Sequence, residues 1–285
     1  MIDAHHHLWD PSRREYPWMA GAALDPIRRP YTVDDLRAVT KAAGVHATVL
    51  VQTVSSAEET TEFLATASAE PVIAGVVGWV DLAAPDVADQ LAAIREQGPL
   101  VGIRHQVENE PDDDWLLRPA VVAGLSTVAS AGLAYDLLVR PAQLPAAAEV
   151  ALRLPELRLV LDHAAKPPIA AGEWEPWASG VAALAARENV ACKLSGLVTE
   201  ADWTGWEVGH LRRYADHVLD AFGPSRMVFG SDWPVCELAA SYELVLDAVI
   251  ALTGGLSDAE RLGVFEHNAR RVYGLDASGE TSPRG

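Results

Sequence analysis

The stretch that decides the reading is Met1-Ile2-Asp3-Ala4-His5-His6-His7-Leu8-Trp9-Asp10. A short apolar start running straight into His-x-His is how a barrel strand delivers two imidazoles into a site. Side chains on an extended strand alternate faces, so His5 and His7 point one way and His6 the other. Two imidazoles on one face can grip a single metal ion or a single substrate oxygen. A tag remnant would bring a longer histidine run and a linker, whereas these three histidines continue smoothly into Leu8-Trp9.

Outward from that strand, the loop from Asp10 to Pro30 is rich in Pro, Arg and aromatics and too irregular for a helix. Thr32 then caps a helix that carries Asp34 and Asp35 in its first turn. From there short runs rich in β-branched residues recur, at His46–Thr53, Val72–Val80, Leu100–Arg104, Leu133–Val139, Leu157–Asp162, Val190–Leu194 and Met227–Phe229. Helical periods lie between them, among others at Ala57–Ala69, Pro85–Glu96, Pro119–Ala131 and Pro141–Leu154. With Ile2–Ala4 this makes eight strands alternating with helices. Strands apolar on both faces suit a parallel sheet covered by helices, and eight such units predict a closed (β/α)8 TIM barrel of single-domain, α/β class. No glycine-rich fingerprint follows the first strand, which argues against an open nucleotide-binding sheet. Residues 1–275 form the expected barrel, and 276–285 read as a frayed polar tail.

Composition bounds the function. Nearly half of the 285 residues are hydrophobic, enough for a sizeable core. The formal net charge of −18 disfavours nucleic acid and anionic membranes, which need a basic face. No apolar run approaches the roughly 18 residues of a membrane span, and no signal peptide precedes the first strand. Two cysteines, Cys192 and Cys236, without CxxC spacing read as reduced thiols of a cytoplasmic enzyme. The expected partner is a small-molecule substrate, and a homo-oligomer is compatible with everything above.

In such a barrel, functional groups end the strands. Here strand one ends in His5-His6-His7, strand two in Gln52-Thr53 and strand four in Arg104-His105-Gln106. Strand six ends in Asp162-His163 with Lys166 beyond, strand seven carries Lys193 and Ser195, and strand eight ends in Ser231-Asp232. One capping histidine would need no explanation; four strand ends converging on one rim do. The set supports attack of water on an acyl carbon. Asp232 can take a proton from water, and neutral imidazoles can hold a divalent ion that polarises the carbonyl. Without an ion, the imidazoles and Arg104 could donate to the developing oxyanion. Ser195 lacks a nucleophile-elbow context, and nothing around Cys236 supports a reactive thiol.

These residues resemble the amidohydrolase superfamily, in its amidohydrolase 2 branch of metal-dependent hydrolases. The resemblance begins with His5-x-His7, His163 and Asp232. It narrows to the sugar-lactone hydrolases, which include fuconolactonases, rhamnonolactonases and pyrone-dicarboxylate lactonase. The matching stretches include Ile2–Asp10, Gly75–Leu82, Gly102–His105, Asp112–Trp115, Leu161–Pro167, Cys192–Leu197, Phe229–Pro234 and Asn268–Tyr273. The resemblance implies that His5, His7 and His163 are metal ligands or carbonyl-polarising groups. It makes Asp232 the base that activates water, then protonates the leaving ring oxygen, and a ligand of any bound ion. Arg104 and His105 would contact sugar hydroxyls, with Lys166 beside them. No second set of ligands supports a two-metal centre, so one divalent ion, zinc foremost, is expected, and a metal-independent route stays open.

The substrate expected is a small sugar-derived lactone opened to its aldonic acid. Flat faces of Trp9, Trp18 and Trp233 would pack on the sugar ring while Arg and His donors address its hydroxyls. A mononuclear decarboxylase of the same superfamily, or a pyrone-dicarboxylate-type lactonase, would use the same set. A non-catalytic sugar-binding barrel would leave Asp232 without a role.

Overall fold

The computed structural model of the protein describes residues 1–275. The expected tail, 276–285, lies outside the described residues. The eight strands are β1 Ile2–His6, β2 Ala47–Val51, β3 Ile73–Gly78, β4 Leu100–His105, β5 Ala134–Leu137, β6 Arg158–Leu161, β7 Val190–Leu194 and β8 Met227–Phe229. They pair in parallel, in sequence order. Just past the ends of β8 and β1, His7 N–H donates to Trp233 O at 2.7 Å and Asp232 N–H to His5 O at 2.9 Å. Those bonds stitch the last strand to the first at the C-terminal end of the barrel, and the sheet is a (β/α)8 barrel of one domain.

The helices cover the outside: α1 Val33–Ala43, α2 Ala57–Ala69, α3 Val87–Arg95, α4 Pro119–Ser130, α5 Leu144–Arg153, α6 Trp177–Ala185, α7 Val208–Phe222 and α8 Tyr242–Leu252. Two short ones, α9 Asp258–Leu262 and α10 Asn268–Tyr273, follow. Among the described residues, no helix is long and apolar enough to cross a membrane. Helix α1 starts where its capping residues demand: Asp35 N–H donates to Thr32 Oγ1, and Asp35 accepts from the Thr32 backbone in return. The helix expected over Pro141–Leu154 is divided. Pro145 lacks the N–H that would continue the turn of Pro141–Gln143, so α5 begins afresh at Leu144. The loop from Asp10 to Pro30 holds only two short 3-10 turns, at Pro17–Met19 and Ala22–Ile27.

Alternation along the strands builds the barrel interior in layers. Ala134, Val160 and Ala191 pack with Ile2, Val49 and Val228 in its lower part. Two residues further along the same strands, and therefore on the same face, come Asp136, Asp162 and Lys193. The interior is thus apolar below and charged above. Helix α10 closes the floor, with Ala269, Val272 and Tyr273 joining the apolar layer. The Tyr273 hydroxyl donates to Asp136 at 2.8 Å, and Asn268 donates to the carbonyls of Pro224 and Met227 at 2.9 and 2.7 Å.

Candidate active site

At the C-terminal mouth, three imidazoles surround one carboxylate. His5 Nε2 lies 3.1 Å from His7 Nε2, and Asp232 Oδ1 lies 3.7, 3.6 and 3.8 Å from the Nε2 atoms of His5, His7 and His163. All four residues are at least 95% buried. The backbone is bent to bring them there. Asp232 has φ +57°, and His163, Ala164, Ala165 and Lys166 have φ between +50° and +58°. One left-handed turn of four non-glycine residues costs roughly 1–2 kcal/mol per residue. It holds His163 and Lys166 at the same pocket. Two glycines make room for the rings: a Cβ on Gly196 would stand 2.6 Å from His163 Nδ1, and one on Gly230 2.7 Å from His5 Cβ.

The second nitrogen of each ring has its own partner, and that decides what Nε2 offers. His7 Nδ1–H donates to Val51 O at 2.8 Å, so its Nε2 keeps a lone pair for the site. His163 Nδ1 bonds Ser195 Oγ at 2.9 Å, with the hydroxyl free to accept, and again Nε2 faces Asp232. His5 Nδ1 lies between the Lys193 ammonium at 3.0 Å and Asp162 Oδ1 at 3.4 Å. These two partners select opposite tautomers of His5: the carboxylate leaves a lone pair on Nε2, and the ammonium leaves a proton there.

Electrostatics keeps the His5 and His163 rings neutral and the carboxylate charged. Burial pushes the His163 imidazole down to about 4, and burial followed by the Lys193 charge pushes His5 well below its ordinary value. Burial works to raise the Asp232 carboxyl, but His163, the His7 hydrogen bond and Lys166 outweigh it and leave it below the usual range. A neutral lone-pair donor beside an ionised oxygen is what a divalent cation requires.

Beneath the site is a buried ionic network. Lys193 Nζ reaches Asp136 at 2.5 Å and Asp162 at 2.9 Å in addition to His5, three acceptors for three N–H donors. Arg104 donates to Asp162 Oδ2 at 2.9 Å, to Gln52 Oε1 at 3.2 Å and to the Gln52 carbonyl. Its Nη1 stands 3.3 Å from His5 Nε2. Asp136 is absent from the residues singled out by sequence; its one signal is a charge inside the apolar run of β5. The supporting roles of Ser195 and Lys193 needed the fold as well.

The open pocket above holds about 100 Å³ and is lined by His7, Arg104, His163 and Asp232 with Trp18, Thr53, Gln106, Glu108, Leu138, Lys166 and Val235. Three residues expected to touch substrate are not among them. His105 follows Arg104 on β4 and therefore faces outward, stacked on Trp115 with ring centres 4.3 Å apart and bonded to Trp79 and Glu110. Trp9 is 4% exposed, donates to Ile27 O at 3.1 Å, and stacks behind His7 rather than in the pocket. Trp233 is 1% exposed and donates to Glu237 at 2.8 Å. Trp18 alone of the three expected tryptophans lines the pocket. Cys236 and Cys192 are unpaired and buried, and burial pushes both thiols up, well away from nucleophilic use.

The donor set passes a simple geometric test for a metal. Zinc ligands at roughly 2.0–2.2 Å in a tetrahedron stand about 3.3 Å apart. The separations among His5, His7 and Asp232 run from 3.1 to 3.7 Å, and His163 Nε2 stands 3.8 Å from the Asp232 oxygen. His5, His7 and Asp232 form one group able to hold an ion, and His5, Asp162 and His163 form another. Asp162 is already committed to Arg104 and Lys193, which leaves the first group, with His163 alongside, as the better host.

The comparisons agree with this architecture. A family model described as Amidohydrolase matches residues 2–275. The chain is 40% identical over 285 residues to a Burkholderia multivorans protein called L-fucono-1,5-lactonase, covering 96% of each. It is 41% identical over 241 residues to a protein of the same name from Burkholderia ambifaria, covering 85% of this chain and 82% of that one. A crystal structure of a Burkholderia multivorans amidohydrolase with bound zinc superposes with a TM-score of 0.91 at 39% identity, over 96% of this chain and 99% of that one. Barrel, site and sequence together place this chain in the amidohydrolase family.

Proposed function

We propose that this protein hydrolyses a small sugar-derived lactone of the L-fucono-1,5-lactone type, opening it to the aldonic acid by attack of water on the ring carbonyl. The observation that carries the reading is an Asp232 carboxylate, held below its usual range, that faces the Nε2 atoms of His5, His7 and His163 at the barrel mouth. The name shared by the two Burkholderia relatives supports the substrate class.

In this reading Asp232 Oδ1 accepts a proton from the attacking water and returns it to the ring oxygen as the acyl C–O bond breaks. A divalent ion held by His5, His7, His163 and Asp232 would polarise the carbonyl and acidify the water. Val51 and Ser195 fix the orientation of His7 and His163, and Arg104 is locked by Asp162 and Gln52 as a rigid donor on the pocket wall. Trp18 packs against the sugar face, while Gln106 and Lys166 address hydroxyls. The net charge of −18 supports a partner that is a small molecule rather than nucleic acid, and two unpaired buried thiols support a cytoplasmic setting.

The test is a pH-indicator screen over 1,4- and 1,5-sugar lactones, with valerolactone, simple esters and a dicarboxylate pyrone beside them. Sugar lactones should be hydrolysed at least about a hundredfold faster than valerolactone, because a site built for hydroxyls is left with unpaired polar groups when they are missing. Equal rates would refute the reading. Gas released in place of acid would point to the decarboxylase, and binding without turnover to a sugar-binding barrel.

A further inference from the structure

The rim of the pocket carries an ion cluster, and two of its three members, Glu108 and Glu200, have no part in the hydrolytic step. Lys166 Nζ lies 2.9 Å from Glu200 Oε1 and 3.6 Å from Glu108 Oε2. The three residues come from three different loops, after β6, β7 and β4. Each side chain is less than a third exposed, at 28%, 23% and 20%. The loops are also joined through the backbone, since Ala170 N–H donates to Glu200 O at 2.9 Å. One ammonium between two carboxylates leaves the cluster with one net negative charge. The other cation of the lining is committed as well, because Arg104 is paired with Asp162. Among the described residues, each cationic side chain that lines this pocket is therefore matched by a carboxylate of the chain itself.

Hydrolysis of a lactone changes the charge of the ligand. Water adds across the acyl C–O bond, the ring oxygen leaves with a proton, and the new carboxylic acid ionises at neutral pH. A neutral ligand becomes an anion inside the pocket. We propose that the Glu108–Lys166–Glu200 cluster is a charge filter: by occupying Lys166 it denies a carboxylate-binding subsite, so that neutral lactones enter, anionic lactones are rejected and the aldonate product is expelled. This rests on the lactonase reading for its substrate. The physical requirement is only that an ammonium already satisfied by two carboxylates attracts a third anion weakly, and that the surplus negative charge repels it. Glu200 carries the weight, because it makes the shorter contact with Lys166 yet is not part of the pocket lining.

The experiment uses the full chain and Glu200→Gln, with Glu200→Asp as the conservative control. L-fucono-1,5-lactone is the substrate, L-fuconate the inhibitor, and a glucaric acid monolactone the anionic competitor. In Glu200→Gln, Lys166 is freed to take a carboxylate, and the ratio of lactone KM to fuconate Ki should rise at least about fivefold. Relative turnover of the anionic lactone should rise with it, and both effects should shrink as ionic strength increases. Glu200→Asp should keep the wild-type ratio. A lower melting temperature with an unchanged ratio would mean that the cluster only ties the loops together, and would overturn the filter. Equal weakening of lactone and fuconate would identify Glu200 as a hydroxyl partner, and would overturn it too. Absence of lactone turnover in the wild type would instead overturn the lactonase reading. The filter would then be judged by calorimetric binding of L-fuconate to wild type and Glu200→Gln.

Discussion

Lys193 Nζ, at the heart of the barrel, stands 3.0 Å from His5 Nδ1, joining the strand that opens the chain to one nearly two hundred residues later. Lys193 is fully buried, and so are the two carboxylates that share it, Asp136 and Asp162. Burial pushes the Asp136 carboxyl up, whereas for Asp162 burial is outweighed by Lys193 and His5, which hold it well below the carboxylate range.

Lys193→Met should therefore be costly. It leaves two carboxylates in a dry interior with only Arg104 between them and neutrality, and breaking a buried pair this way costs roughly 3–5 kcal/mol. Urea denaturation should read that loss. Adding Asp136→Asn should recover part of it, since one orphaned charge is then removed. Stability unchanged by Lys193→Met would mean that the network is dispensable.

Asp232→Asn keeps the shape of the side chain and removes the proton acceptor. Turnover should drop by at least about a hundredfold, with the circular dichroism and melting temperature close to wild type. Near-normal hydrolysis would exclude Asp232 as the base.

Gly196→Ala tests how tightly His163 is seated. The position has φ +65° and an added Cβ would meet the His163 ring 2.6 Å from Nδ1. The ring must move off Ser195, so kcat should fall at least about tenfold, on the scale expected for a small misplacement of a reacting group. The left-handed backbone adds about 1–2 kcal/mol of destabilisation. Substitution of Gly132, which has φ +69° but open space around its Cβ, should cost stability without the loss of kcat.

Metal content is the remaining arm. Purified protein should carry about one divalent ion per chain by elemental analysis, given His5, His7 and Asp232 at ligand spacing with His163 beside the carboxylate. His7→Ala should lower that content, and prolonged chelation should lower turnover, with recovery on adding zinc. Full turnover after the ion has been stripped would show that the imidazoles and Arg104 suffice.

The sequence by itself determined the barrel and which polar residues gather at its mouth. Each strand announced itself by local composition, and Ala57–Ala69 and Val190–Leu194 fell where periodicity put them because those limits are set by neighbouring residues alone. His5, His7, His163 and Asp232 were legible because strand ends of a parallel barrel converge. Tertiary structure decided what a strand cannot encode about its own surroundings. Alternation says that Arg104 and His105 face opposite ways, but which of them faces inward depends on the register with β3 and β5 and on closure of the sheet. Trp9 and Trp233 sit beside site residues in the chain, yet the turn after each strand carries them into a packed layer. The partners that set the charge of the site, Asp136 under Lys193 and Glu200 against Lys166, come from other strands and loops. Hydrogen bonds and Coulomb forces act through distances in space, and only the closed barrel fixes those.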